Sequence, residues 1–78
     1  MKFAIYTRPG CPYCDKIKQV LNIKGYSYRE YILDRDFTRE QYYAQFGNAT
    51  TFPQVILDDK TLGGCSESIE YLRSQNLL

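Results

Sequence analysis

Two of the three cysteines in this 78-residue chain stand three positions apart, as Cys11-Pro12-Tyr13-Cys14. Two thiols one helical turn apart can close a disulfide or share a metal, so the spacing serves either redox exchange or half of a zinc site. Structural zinc takes four ligands. The sequence has no histidine and only Cys65 beyond the pair, so carboxylates or a second chain would have to complete the set, and no metal is expected. A static disulfide across so short a loop would contribute little stability. Thiol–disulfide exchange is the chemistry that these residues fit best.

The order of residues within the motif gives the two sulfurs different work. If Cys11 caps a helix, Pro12 falls at the first helical position, where its missing N–H costs nothing and its fixed φ suits the helix. The Cys11 sulfur then stands where a capping side chain accepts from the free N–H groups of Tyr13 and Cys14. A thiolate accepts those bonds better than a thiol, and the helix dipole acts in the same direction. Cys11 is therefore expected to ionise below the value of about 8.5 of a free cysteine. Arg8, three residues earlier, can add to the effect. Cys14, one turn on and on the apolar side, is expected to be the more buried thiol. Attack by Cys11 on a substrate disulfide would give a mixed disulfide, which Cys14 or a small external thiol would resolve.

The elements that must hold this motif are legible on both sides of it. Lys2 to Thr7 reads as a strand ended by the turn signal Pro9-Gly10. From Cys11 to about Lys24 the positions Cys14, Ile17, Val20 and Leu21 recur at helical spacing, with Gly25 as the stop. Tyr26 to Leu33 reads as a second strand, ended by Asp34-Arg35-Asp36. Thr38 and Gln41 are spaced as a capping box for a helix to Phe46, closed by Gly47, with Tyr42 and Phe46 on one face. A loop over 48–52 precedes Pro53. Gln54–Leu57 and Lys60–Leu62 then form a hairpin around Asp58-Asp59. Ser66 is placed to cap a last helix with Ile69 and Leu72 toward the core, and Glu67 and Glu70 near its positive end. The expected order is β-α-β-α-β-β-α, with a parallel pair, an antiparallel hairpin and a mixed four-stranded sheet covered by three helices.

Composition narrows the function classes. Seventy-eight residues allow one domain, over residues 1–78, near the lower limit for a core without staples. Ten basic residues against nine acidic ones leave no electrostatic footprint for nucleic acid or an anionic membrane. The eight tyrosines are read as packing residues, because single-strand binding also needs a basic groove. The apolar runs are too short to span a membrane, and Met1-Lys2 leads into a strand instead of an export signal. An odd cysteine count fits a reducing compartment, so a soluble, cytoplasmic protein is expected.

Thr7 through Cys14, with Thr51-Phe52-Pro53 and Gly63-Gly64-Cys65-Ser66 downstream, closely resembles the glutaredoxin family over almost the entire chain. The resemblance implies an α/β thioredoxin fold and a monomeric, glutathione-dependent disulfide reductase. Glutathione would be the reducing co-substrate, and no cofactor would be tightly bound. Its partners would be disulfide or glutathionylated proteins, ribonucleotide reductase among them.

The resemblance also implies roles for individual residues. Pro53 matches a cis-proline, and the main chain of Phe52 would pair with the substrate cysteine as a strand does. Phenylalanine stands where valine is more common, and its bulk could alter the groove. The N–H groups of Cys65 and Ser66, after Gly63-Gly64, would bind the γ-glutamyl carboxylate, and Glu67, in an aspartate position, the glutamyl amino group. Arg8 and Arg39 match basic positions for the glycyl carboxylate, while Thr50 stands where many relatives have arginine, which would weaken that end. Tyr13 would pack over the bound peptide, and Thr51 would belong to the same glutathione-binding set. Cys65 is read as a small buried residue and not as a third redox thiol. Two competing readings are a redoxin fed by thioredoxin reductase and a glutathione-ligated iron–sulfur protein, the latter disfavoured by Pro12.

Overall fold

Side chains of Phe3–Thr7 alternate between buried and half-buried, the period of a strand with both faces in use. A computed structural model of the chain describes residues 1–48 and 50–78, and Ala49 of the expected 48–52 loop lies outside the described residues. It places β1 (Phe3–Thr7), α1 (Pro12–Ile23), β2 (Tyr28–Ile32), α2 (Arg39–Phe46), β3 (Gln54–Leu57), β4 (Lys60–Gly63) and α3 (Cys65–Ser74) in the expected order. The sheet runs β2-β1-β3-β4. β1 lies parallel to β2, with Phe3 opposite Tyr28, and antiparallel to β3, with Tyr6 opposite Gln54. This is the thioredoxin fold, a mixed sheet with three helices.

Each helix boundary has a local cause. Thr38 Oγ1 accepts from the Gln41 N–H at 3.2 Å and Gln41 Oε1 from the Thr38 N–H at 2.8 Å, the reciprocal box read from the sequence. At the end of α1 the Gly25 N–H donates to Asn22 O and the Tyr26 N–H to Leu21 O, with Gly25 at a φ of 76°. That capping explains why β2 begins at Tyr28 and not at Tyr26. The hairpin turns on Asp58 and Asp59, both with positive φ, the signature of a two-residue turn matching strand twist.

The start of α3 corrects the expectation. Gly64 is the N-cap, and Ser66 is the second helical residue. The Gly64 N–H donates to Glu67 Oε1 at 2.9 Å, the half of a capping box that reaches back to the N-cap, while Gly64 has no side chain to supply the other half, the acceptor role expected of the Ser66 hydroxyl. Ser68, fully buried, donates its hydroxyl to Gly64 O at 2.6 Å and secures the same turn.

The two faces of the sheet are covered differently. Phe3, Ile5, Val55, Leu57 and Leu62 pack with Ile17 and Leu21 of α1 and Cys65 and Leu72 of α3. Burying each of the larger aliphatic side chains stabilises the fold by roughly 1.5–3 kcal/mol. On the opposite face Tyr6 meets Tyr31, Phe37 and Phe46 with ring centroids 5.0–5.2 Å apart, and Tyr42 of α2 lies among them. Three of the eight tyrosines are thereby absorbed in packing.

Candidate redox site

Cys11 is the N-cap of α1, in extended backbone at φ −107° and ψ 104°, with Pro12 at the first helical position. The Cys14 N–H donates to Cys11 Sγ at 3.1 Å, so the sulfur occupies the capping position that the sequence assigns to it. The two sulfurs are joined as a disulfide across Cα atoms 5.2 Å apart. In this oxidised form both residues are buried: Cys11 is 3% exposed and Cys14 1%, so the expected contrast is present in sign but small. Tyr13, between them, is 62% exposed.

Tyr13 also forms one wall of a shallow groove of about 140 Å³, whose other lining residues are Thr51, Phe52, Pro53, Gly64, Cys65, Ser66 and Glu67. These eight of the residues singled out in the sequence share one surface. Three segments meet there: antiparallel pairing of β3 with β1 carries the residues before β3 to the end where the chain leaves β1, and antiparallel pairing of β3 with β4 brings the residues after β4 to the same end. The Phe52–Pro53 peptide bond is cis. Gly64 lets the segments approach: a Cβ there would lie 2.9 Å from Glu67 Oε1 and 3.6 Å from Pro53 O. Gly63 has a φ of 105°, a region that favours glycine.

Phe52 does not crowd the groove in the way its bulk implied. Its ring stacks on Tyr42 at 4.2 Å with an interplanar angle of 9° and faces Phe37 at 6.1 Å, so the aromatic cluster takes up its volume. Cys65 is buried and free. Burial pushes its thiol up and the charge of Glu67 acts in the same direction, against Lys16, which leaves it a neutral, weakly nucleophilic group.

Two basic candidates fall outside this groove. Arg8 is exposed and its guanidinium donates to the carbonyls of Pro9 and Gly10, which braces the turn into Cys11. Arg39 is exposed on α2, within 3.4 Å of the Tyr43 hydroxyl. Thr50 donates its hydroxyl to Phe46 O at 2.7 Å and so fastens the loop to α2.

Two features went unread in the sequence. The Tyr42 hydroxyl donates to Thr51 O at 2.7 Å. Glu30 Oε2 accepts from Lys18 Nζ at 2.9 Å and from Thr7 Oγ1 at 2.7 Å, tying β2, α1 and the end of β1 together. A signal for the second existed: Glu30 opposes Ile5 and therefore shares its core-facing side, an odd place for a carboxylate. A larger hollow of about 740 Å³ lies against Ala4, Arg29, Tyr31, Ile56 and Asp58. Its lining holds no cysteine, whereas the smaller groove adjoins the Cys11–Cys14 turn through Tyr13.

Residues 3–62 match the family model for glutaredoxin. The chain belongs to the glutaredoxin family. It is 35% identical over 63 residues to glutaredoxin 3 of Escherichia coli, covering 81% of this chain and 76% of that one. It is 44% identical over 68 residues to the hybrid peroxiredoxin hyPrx5 of Haemophilus influenzae, covering 87% of this chain but only 28% of that longer protein. The crystal structure of glutaredoxin 1 from Francisella tularensis complexed with cacodylate superposes with a TM-score of 0.81 at 31% identity, covering 97% of this chain and 95% of that one. A buckwheat glutaredoxin–glutathione complex shares the fold at a TM-score of 0.80 and 24% identity, over 96% of this chain and 71% of the other. As a glutaredoxin-family member with a Cys11–Cys14 dithiol, the chain is a thiol–disulfide oxidoreductase. No helix among the described residues is long and apolar enough to cross a membrane.

Proposed function

We propose that the chain is a glutathione-dependent thiol–disulfide oxidoreductase, reducing protein disulfides and glutathione mixed disulfides through Cys11 and Cys14. The observation that carries this reading is the groove: Tyr13, set between the two cysteines, is itself a wall of the surface formed by Thr51–Pro53 and Gly64–Glu67. In the reduced form the Cys11 thiolate, held by the helix start, attacks one sulfur of the substrate disulfide. A mixed disulfide forms and the first substrate thiolate leaves. Cys14 then displaces the second substrate thiolate and closes the Cys11–Cys14 bond; where the adduct on Cys11 is glutathione, a second glutathione thiolate instead attacks the glutathione sulfur, frees the Cys11 thiolate and leaves as glutathione disulfide. Two glutathione molecules return the oxidised pair to dithiol and leave as glutathione disulfide.

The groove supplies complementary groups for the tripeptide. The Cys65 and Ser66 N–H groups at the start of α3 suit its γ-glutamyl carboxylate, Glu67 its amino group, and the main chain of Phe52 its cysteine. Tyr13 offers ring surface beside Thr51. Arg8, Arg39 and Thr50 leave the glycyl end with little to hold it. The hybrid peroxiredoxin relative supports a peroxiredoxin-type protein as one electron acceptor, alongside ribonucleotide reductase from the family resemblance. An exchangeable pair beside a free thiol suits a reducing compartment, which we take to be the cytoplasm.

The test couples the purified chain to glutathione, glutathione reductase and NADPH, with a glutathione mixed disulfide of a small thiol as substrate. NADPH consumption that depends on the chain is the expected result. Turnover with thioredoxin reductase and none with glutathione would overturn the reading.

A further inference from the structure

The segment before Pro53 has no sheet ladder to set its position, because β3 starts only at Gln54. Its support comes from α2 on the far side of the sheet. Tyr42 is 1% exposed, its hydroxyl donates to Thr51 O at 2.7 Å, and its ring lies parallel to that of Phe52 at 4.2 Å. The Phe46 carbonyl of the same helix accepts from the Thr50 hydroxyl at 2.7 Å. α2 therefore holds three consecutive residues, 50 to 52, at the lip of the groove.

We propose that Tyr42 is a positioning residue for substrate binding, acting through the peptide plane between Thr51 and Phe52. In a trans peptide the C=O and the following N–H point in opposite directions in one rigid plane. Holding Thr51 O toward Tyr42 therefore aims the Phe52 N–H away from α2. The stacked ring stops that plane from rotating. A strand-like contact to an incoming cysteine requires this N–H at a fixed angle, since amide hydrogen bonds weaken steeply once misaligned. The pairing of Tyr42 with Phe52 also sets specificity: the groove reads the substrate's main chain, while the Phe52 side chain is committed to the aromatic cluster. The inference rests on the reading that Phe52 receives the substrate cysteine.

Tyr42→Phe keeps the ring and removes only the hydroxyl. With a glutathione mixed disulfide as substrate, KM is expected to rise roughly 3- to 10-fold, the range spanned by loss of one such hydrogen bond, with kcat changed less than about 2-fold. A second variant, Tyr42→Leu, removes the stacking as well and is expected to raise KM further. The amide nitrogen and proton resonances of Phe52 should move in Tyr42→Phe, as a backbone readout independent of turnover. An unchanged KM in a folded Tyr42→Phe protein overturns the proposal, as does an equal loss in kcat that tracks the fraction unfolded. Should the wild-type chain be inert toward glutathione adducts, the glutathione reading fails. The same KM comparison on a protein disulfide then decides the role of Tyr42.

Discussion

Replacing Glu30 by glutamine removes a charge that three elements share. Glu30 Oε2 accepts from Lys18 Nζ at 2.9 Å and Thr7 Oγ1 at 2.7 Å, and the Lys18 and Glu30 side chains are 24% and 25% exposed. Hydrogen bonds to a charged group contribute about 1.5–3 kcal/mol, and fully exposed ion pairs about 0–1 kcal/mol. At a quarter exposure, and with the amide oxygen still able to accept one bond, Glu30→Gln should cost about 1–2 kcal/mol, between those limits. For a domain of this size that lowers Tm by roughly 5–15 °C.

The pH dependence separates charge from packing. Burial works to raise the Glu30 carboxyl, but the bonds from Lys18 and Thr7 and the charges of Lys18 and Arg35 outweigh it and hold the group below its ordinary 4.5. A depressed folded value means that the stabilisation is complete above about pH 4.5 and fades as pH falls through the folded value. Lys18 is raised above 10.5, chiefly by its bond to Glu30 with burial opposing, so its share is present below 10.5 and fades at higher pH. Urea unfolding of both proteins at pH 7 and pH 3 checks this. The difference in stability should be full at pH 7 and smaller at pH 3, because the contribution of the carboxylate fades as pH falls below 4.5 and through its depressed folded value. A gap of equal size at both pH values, or no gap at pH 7, would refute the reasoning.

The cysteine variants divide the chemistry. Cys11→Ser should lose all reductase activity, while Cys14→Ser should keep turnover of glutathione mixed disulfides and lose reduction that needs both thiols; inactivity of Cys14→Ser in both assays would contradict the division. Gly64→Ala should remain folded, because the backbone there is ordinary at φ −78°, yet its Cβ would displace the Glu67 carboxylate 2.9 Å away. A stability loss of about 0.5–2 kcal/mol from the disturbed cap, with a severalfold higher KM in the coupled assay, is expected, and unaltered values of both would count against Glu67 as cap and groove wall.

Local rules carried the sequence reading where a few neighbouring residues decide the structure. Pro12 places the helix start at Cys11, Thr38 with Gln41 fixes the next one, and Asp58-Asp59 turns the hairpin. Where two local rules compete, the reading slipped by a turn or less. Ser66 is a good capping residue, but Glu67 reaching back to Gly64 moves the start of α3 ahead of it. Tyr26 looks like strand, but its N–H is taken by Leu21 O at the end of α1. Contacts across the fold were beyond such rules. Tyr42 and Thr51 are nine residues apart in sequence, and their bond depends on α2 crossing the sheet beneath the loop. Arg8 and Arg39 show the converse, since a basic residue in a familiar position can still turn its guanidinium to its own neighbours.

The antiparallel course of β1 and β3 has a practical corollary. Because Tyr6 faces Gln54 while Phe3 faces Leu57, the sulfur chemistry gathers at one end of these strands and the Asp58-Asp59 bend sits at the other. A fluorophore, affinity tag or tether installed at Asp59 would thus report from, or immobilise, the molecule by the end remote from electron exchange.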